Sequence, residues 1–341
     1  MIEIDGSEGE GGGQMLRTAI ALSALTGKAV RIHDIRANRP KPGLAAQHLC
    51  AVKGVAMICD ALVEGAEMGS THITFTPGKV QSGRYRMDVG TAGSISLVLQ
   101  ACLLASAKCA DEMKLEIIGG TNVRWSPPID FYQRQLFPQM ANLGFQAQIG
   151  DMQRGFYPEG GGRVGVSFQA PKDVTPVAID NRGKLQGVEG VCFSQNLPEH
   201  VCQRVMMAAS EELRGIEVKL TSSRTSGLST GAGIFLLARY ENTTLAADSL
   251  GERGVPAEQV GSFAARSLRQ EMDGAGTLDV HTADQLLPYM ALSAGISKFR
   301  VREITSHLRT QMDLVQKFLE VQVKSVDVQE GAEVRVCPSC T

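Results

Sequence analysis

Asp5-Gly6-Ser7-Glu8-Gly9-Glu10-Gly11-Gly12-Gly13-Gln14 lies between an alternating run, Met1–Asp5, and an apolar helical run, Gln14–Thr26. So many glycines lose too much backbone entropy to sit in regular structure, so the stretch is a turn joining a strand to a helix. Met15, Ala19, Leu22 and Leu25 recur at helical spacing. Gly27 is a stop signal, and Ala29–Ile35 alternates as a second strand. The turn lacks the Lys-Ser/Thr ending of a P-loop and the spacing of a dinucleotide fingerprint. It reads either as a flexible turn or as a loop for close approach of phosphate. Glu8 and Glu10 lie inside it and Arg17 one helical turn beyond, which supplies carboxylates for Mg²⁺ and a guanidinium for phosphate.

The same pattern recurs. Asp88–Ser94 precedes an apolar helix, Ile95–Ala107, and a strand, Met113–Ile118. Val280–Asp284 precedes a helix, Gln285–Ala294, and a strand, Phe299–Ile304. Repeated α/β modules with helices packed on one face of a sheet are the expectation. Between the second and third units the spacing roughly doubles. The extra segment has strands at Leu185–Phe193, Ile216–Thr221 and Gly233–Tyr240, and helices at Pro198–Arg214 and Pro256–Met272. The expected division is a main body, residues 1–180 and 277–341, and a small inserted α/β domain, residues 181–276. A helix at Leu308–Val321 and strands at Gln322–Val328 and Glu333–Val336 close the chain.

Composition narrows the function classes. Of 341 residues, 43% are hydrophobic and 21% charged, which excludes a disordered chain. A net charge of −2 excludes a generally basic nucleic-acid coat, so any nucleic-acid site is a local patch. Aromatics make up 5%, with one Trp, which argues against an extended base-stacking platform. No apolar run of about 18 residues is present, so no membrane span is expected. The first residues show no apolar leader, and the eight Cys are scattered through apolar runs. These features predict a cytoplasmic protein whose thiols are buried and reduced. Cys337-Pro338-Ser339-Cys340 has no second Cys pair to complete a zinc site.

Four further segments carry chemistry-bearing residues. His307, in Ile304-Thr305-Ser306-His307-Leu308, follows a strand end, with Ser306 expected to cap the next helix. There it is either a nucleophile or proton carrier beside a phosphate cradle, or a strand-end residue without chemistry. Arg36-Ala37-Asn38-Arg39-Pro40-Lys41-Pro42-Gly43 is a proline-stiffened basic loop leading to Gln47 and His48, suited to phosphate or simply solvated. Arg124-Trp125-Ser126-Pro127-Pro128 offers a rigid wall for a planar base, or ordinary loop packing. Tyr157-Pro158-Glu159-Gly160-Gly161-Gly162 is a second sharp glycine turn.

Taken in order, these segments resemble the RNA 3′-terminal phosphate cyclase family. The resemblance rests on Asp5-Gly6-Ser7-x-Gly9-Glu10-Gly11-Gly12-Gly13-Gln14-x-x-Arg17 and Ile35-Arg36-x-x-Arg39-x-x-Pro42-Gly43-Leu44-x-x-Gln47-His48. It continues through Gly119-Gly120-Thr121, Phe156-Tyr157-Pro158-x-Gly160-Gly161-Gly162, Ala283-Asp284-Gln285 and Ser306-His307-x-x-Thr310. It implies β-α-β-α-β-β modules like those of enolpyruvyl transferases, with a small α/β domain inserted. It also implies a reaction in which ATP converts an RNA 3′-phosphate into a 2′,3′-cyclic phosphate, releasing AMP and pyrophosphate.

By that resemblance His307 becomes covalently adenylylated, and Glu10 engages a divalent metal, Mg²⁺ or Mn²⁺. Arg17, Arg36 and Arg39 hold ATP phosphates or the RNA end. Gln100, Pro128, His281, Thr282, Ala283, Asp284 and Gln285 line the nucleotide pocket. Many relatives have Asn where this chain has Gln311, and some have Tyr where it has His281. Two rival readings share the fold: a non-catalytic ribosome-assembly relative, which lacks the histidine, and an enolpyruvyl-type transferase, which forms no covalent nucleotide.

Overall fold

The computed structural model describes residues 1–9 and 11–339, so Glu10 and Cys340 lie outside the described residues. Strand β1 (Ile2–Asp5), helix α1 (Gly13–Thr26), strand β2 (Val30–His33), helix α2 (Ala46–Cys59) and strands β3 (Leu62–Glu64) and β4 (Ile73–Thr76) form a first βαβαββ unit. Its sheet runs β1-β2-β4-β3, with β1 parallel to β2 and the other pairs antiparallel. A parallel pair needs a crossover, and α1 supplies it.

The second unit repeats the order with β5 (Gly83–Asp88), α3 (Ile95–Ala105), β6 (Met113–Gly119), a helical stretch, β7 (Gln146–Gln153) and β8 (Gly162–Gln169). Its sheet runs β5-β6-β8-β7, the same topology. The helical stretch comprises α4 (Ile129–Phe131), a π-wound turn (Tyr132–Leu136) and α5 (Phe137–Asn142). Sequence reasoning missed it, since Pro127 and Pro128 read as a rigid wall or loop packing and no element was expected after them. Pro128 in fact sits at the N-cap, where its fixed φ of −65° suits a helix start.

Residues 185–273 then build their own sheet from β9 (Leu185–Gln195), β10 (Val218–Thr225), β11 (Gly231–Tyr240) and β12 (Thr244–Leu250). Its order is β10-β9-β11-β12. Helices α6 (Glu199–Glu212) and α7 (Ala257–Asp273) cover it, and Cys192, Cys202, Ile234, Leu236 and Leu268 belong to a core distinct from that of the other units. Strand β12 was not expected from the sequence, because Asp248 and Ser249 interrupt its alternation.

The third unit straddles this segment. Helix α8 (Val280–Met290), strand β13 (Ser297–Val301), helix α9 (Ser306–Phe318) and strands β14 (Val321–Val328) and β15 (Gly331–Pro338) follow it, with the sheet ordered β13-β15-β14. The place of the first strand is taken by residues 177–179, before the interruption. Ala178 bridges Lys298 in parallel, with Ile179 N–H to Lys298 O at 2.9 Å and Lys298 N–H to Val177 O at 2.9 Å. Arg182 clasps the two crossing segments, its guanidinium donating to the carbonyls of Met272 at 2.7 Å and Glu271 at 3.1 Å, and to those of Gly274 and Gly276.

The helices of the three units pack on one another: α1 against α2, α3 and α9, and α8 against α3 and α9. Helix α1 is buried from Gln14 to Leu25, which explains its apolar residues on every side. The architecture is thus mixed α/β, with repeated units sharing an inner layer of helices. Among the described residues, no helix is long and apolar enough to cross a membrane.

Several boundaries differ from the expectations by a few residues, and capping explains two helix starts. Helix α8 begins at Val280 rather than Gln285, because the Asp279 carboxylate accepts the Thr282 N–H at 2.8 Å and caps the helix earlier. Thr305, rather than Ser306, caps α9, its hydroxyl accepting the Leu308 N–H at 3.1 Å.

Candidate functional site

The glycine turn delivers the chain to α1, whose N-cap, Gly12, makes no side-chain capping bond. The first N–H groups of the helix therefore face the loop side without side-chain competition, an arrangement that attracts anions. A Cβ on Gly13 would fall 2.0 Å from His48 Nε2, and one on Gly12 would fall 3.0 Å from Arg39 Nη2. The glycines let an imidazole and a guanidinium press against the start of the helix.

Two more arginines converge there. Arg17 is buried and donates from Nε to Gln100 Oε1 at 3.1 Å; burial pulls its guanidinium down to about 10. Arg36 takes a left-handed backbone (φ 57°) and donates to the Gly43 carbonyl at 2.7 Å. Its pKa is lowered by burial and then by the like charge of Arg39. His48 is buried among these cations, and burial, then Arg17 and Arg36, push its pKa down to about 3. Its Nδ1 accepts the Ala45 N–H at 3.3 Å, so the proton of the neutral ring lies on Nε2, facing the helix start. The cluster is a concentration of positive charge with a neutral donor at its centre, which fits a phosphate group.

His307 is half-buried in the first turn of α9. Its Nδ1 meets the side-chain carbonyl oxygen of Gln14, the second residue of α1. An amide oxygen only accepts, so Nδ1 carries the proton and the ring's lone pair lies on Nε2. Gln311 Nε2 donates to Thr18 Oγ1 at 3.1 Å and helps lock α9 to α1. The amide of Gln311 therefore faces the helix–helix contact. A cleft of about 530 Å³ opens beside this junction, lined by Glu8, Gly9, Ser306, Arg309, Thr310 and Lys317.

Gln100 and Gln285 share with Arg17 and Gln311 a cavity of about 10 Å³, room for roughly one water molecule. His281 is exposed on the first turn of α8. Thr282, Ala283 and Asp284 are buried: the Thr282 hydroxyl donates to Asp279 at 2.7 Å, and the Asp284 charge acts on Arg17. Pro128 is buried, and Arg39 is exposed. The structure thus brings Arg17, Arg36, Arg39 and Gln100 together around the helix start, joins His307 to it through Gln14, and turns residues 282–284 inward.

Sequence reasoning assigned no role to Gln14, Gln47 or His48. Gln47 Oε1 accepts the Ser94 N–H at 2.9 Å and ties the start of α2 to the start of α3. Their placement directly after glycine and proline turns was the available signal.

Among the described residues, the one cluster of at least three His, Cys, Asp or Glu groups able to share an ion is Asp5, His33 and Asp34. It lies at the ends of β1 and β2, and Asp5 already accepts the Ser7 N–H at 2.8 Å and its hydroxyl at 2.6 Å. The described residues around His307 therefore do not supply a ready donor set for a divalent ion, and Glu10 lies outside them.

A family model described as RNA 3′-terminal phosphate cyclase matches residues 8–325. A protein of Methanopyrus kandleri named RNA 3′-terminal phosphate cyclase is 46% identical over 349 residues, covering 99% of this chain and 99% of its own. One of the same name from Nitrosospira multiformis is 42% identical over 345 residues, covering 99% and 97%. Among solved structures, the enolpyruvyl transferase NikO from Streptomyces tendae aligns at a TM-score of 0.41 and 9% identity. That alignment covers 98% of this chain and 47% of the solved one.

Proposed function

Since the chain belongs to the RNA 3′-terminal phosphate cyclase family, we propose that it uses ATP to convert an RNA 3′-terminal phosphate into a 2′,3′-cyclic phosphodiester through a histidine–AMP intermediate. The observation that carries this reading is the bond from His307 Nδ1–H to Gln14, which leaves the Nε2 lone pair as the nucleophile beside the glycine turn.

Nε2 attacks the α-phosphorus of ATP. A P–N bond forms, the bond from that phosphorus to the bridging oxygen breaks, and pyrophosphate leaves. No proton has to be removed from the attacking nitrogen, because the ring's one proton is already on Nδ1. The adenylylated ring carries positive charge, which the Gln14 carbonyl faces and which makes the ring a good leaving group. An oxygen of the RNA 3′-phosphate then attacks the same phosphorus, breaking the P–N bond and forming an anhydride. The neighbouring 2′-hydroxyl attacks the RNA phosphorus, closing the ring; the bond to AMP breaks, and the hydroxyl proton leaves with the AMP phosphate. That last step is intramolecular and gains from proximity.

Arg17, Arg36 and Arg39 are the groups to hold phosphate oxygens, with His48 offering an uncharged N–H. A divalent ion held by Glu10 would draw further negative charge from the phosphates. In this reading Gln100 and the exposed His281 would meet the nucleotide. We take residues 181–276 as an inserted domain, on the grounds of its own sheet and core. The cysteines Cys50, Cys59, Cys102, Cys109, Cys192 and Cys202 are buried free thiols, which suits a reducing cytoplasm.

Incubation with ATP labelled at the α-phosphate tests the reading. Acid-labile, alkali-stable label should appear on the protein and be absent from His307→Ala. A wild-type protein that takes up no label under turnover conditions would instead fit the assembly-factor or enolpyruvyl-type readings.

A further inference from the structure

Trp125 is the only tryptophan of the chain, and its side chain is left in water: the residue is 89% exposed. Its backbone is left-handed, φ 63°, a conformation costly for a bulky residue. The loop that holds it is firmly built. The Ile129 N–H closes onto the Thr121 carbonyl at 3.1 Å, the Ser126 hydroxyl onto the Val123 carbonyl at 2.9 Å, and the Thr121 N–H onto the Gly155 carbonyl at 2.8 Å. Arg124 lies over the indole, its guanidinium carbon 5.4 Å from the ring centroid, and is itself anchored to Glu252 at 3.1 Å. An aromatic ring is thus held out in water, accessible, on a loop whose base is tied by hydrogen bonds.

The root of this loop reaches the arginine cluster by a short path. The Ser96 hydroxyl donates to the Pro127 carbonyl at 2.7 Å. One turn further along α3, Gln100 accepts from Arg17 at 3.1 Å. At the head of the same helix, the Ser94 N–H donates to Gln47, at the start of α2 just after the basic loop, at 2.9 Å. Trp125 and the phosphate-binding side chains are therefore held by the same helix, α3, which fixes one relative to the other. The loop presents one ring with an arginine beside it rather than a broad apolar face, which suits a planar base on a charged backbone better than a protein partner.

We propose that Trp125 is the stacking surface for a nucleobase of the RNA strand whose terminal phosphate lies at Arg17, Arg36 and Arg39; the proposal rests on the function inferred above. Phosphate contacts alone would accept any phosphorylated end. A stacked base adds grip without reading sequence, since every base offers a π-face.

The single tryptophan makes the test direct. A 3′-phosphorylated oligoribonucleotide, titrated without ATP into the full-length protein, should quench the indole emission, whereas ATP alone should not. The same oligonucleotide with abasic sugars at its 3′-terminal positions should bind without quenching. Trp125→Ala should raise KM for RNA roughly 5- to 100-fold, the loss of about one stacked base, while kcat at saturating RNA moves far less. Trp125→Phe, which keeps a ring, should recover most of the loss. Emission unmoved by RNA, an equal quench by ATP alone, or an unaltered KM in Trp125→Ala would each overturn the proposal. Quenching reads binding without turnover, so a wild-type protein that quenches but neither takes up label nor cyclises RNA would fail the function reading and leave this one standing.

Discussion

The Nδ1–H of His307 donates to the side-chain carbonyl of Gln14 across 293 residues of sequence, and this bond fixes which ring nitrogen holds the lone pair. Gln14 is buried at the head of α1, so its amide cannot swing freely into solvent. Removing the amide in Gln14→Ala should slow transfer of label from ATP to protein by roughly 10- to 100-fold, the usual cost of losing a group that orients a functional histidine. Gln14→Glu should keep the geometry but favour imidazolium. The acid limb of the pH–rate profile for label transfer should then move to higher pH, because the nucleophile must be unprotonated.

Gly13 faces His48 Nε2 with no room for a methyl group. Gly13→Ala should lower stability by about 1–3 kcal/mol, the usual cost of overpacking, read as a shift in denaturant midpoint. Gly13→Ala combined with His48→Ala should regain part of that loss, since the clash is with the imidazole. If the double variant is no more stable than the single, the close approach is not the cause.

The pH dependence of stability carries a signature of His48. Its folded pKa is pushed down to about 3 from the ordinary 6.5, so the unfolded chain takes up the proton more readily. The stability given by the neutral ring is complete above pH 6.5 and is lost as pH falls from there toward 3. Between pH 6.5 and 5 the loss should reach about 2 kcal/mol. His48→Gln, which cannot titrate, should flatten that stretch of the curve measured by denaturation at stepped pH.

Arg154 and Asp130 form a buried pair, with contacts of 2.7 and 2.9 Å and side chains 3% exposed on both sides. The guanidinium also lies over Phe193 of β9, 4.3 Å from its centroid, so it joins the second unit to the segment that follows. Arg154→Ala leaves a buried carboxylate without its cation and should cost about 3–5 kcal/mol. Pairing Arg154→Met with Asp130→Leu should recover most of it in the same denaturation assay.

Recurrence of a glycine or small-residue turn before each apolar helix was legible because it is local. Gly27 ended α1 and Met113 began β6 where side-chain alternation said they would. The helical stretch of residues 129–142 was hidden, because prolines signal loops until a tertiary contact, here Tyr132 OH to the Ser96 carbonyl at 2.7 Å, places them at helix starts. The cationic residues of the candidate site were visible as residue types. The roles of Gln14 and His48 were not: each depends on a partner or a close approach made by packing, and neither amide nor imidazole announces which of its atoms will be turned inward. The inward turn of Thr282 likewise follows from Asp279 and Gln135, neither of which signals it alone.

Arg182, where the chain leaves the third unit, gathers the carbonyls of Glu271 and Met272, where it returns, and Ala178 meets Lys298 directly. The stretch between also docks on the body: Arg154 lies over Phe193, Gln135 donates to the Thr244 carbonyl at 3.0 Å, and Arg124 pairs with Glu252. Closure entropy grows only with the logarithm of loop length, so parts of the stretch away from those contacts can be lengthened or shortened at little thermodynamic expense. A replacement of the whole stretch would have to remake the partners of Arg154, Gln135 and Arg124 to leave the second unit as it stands.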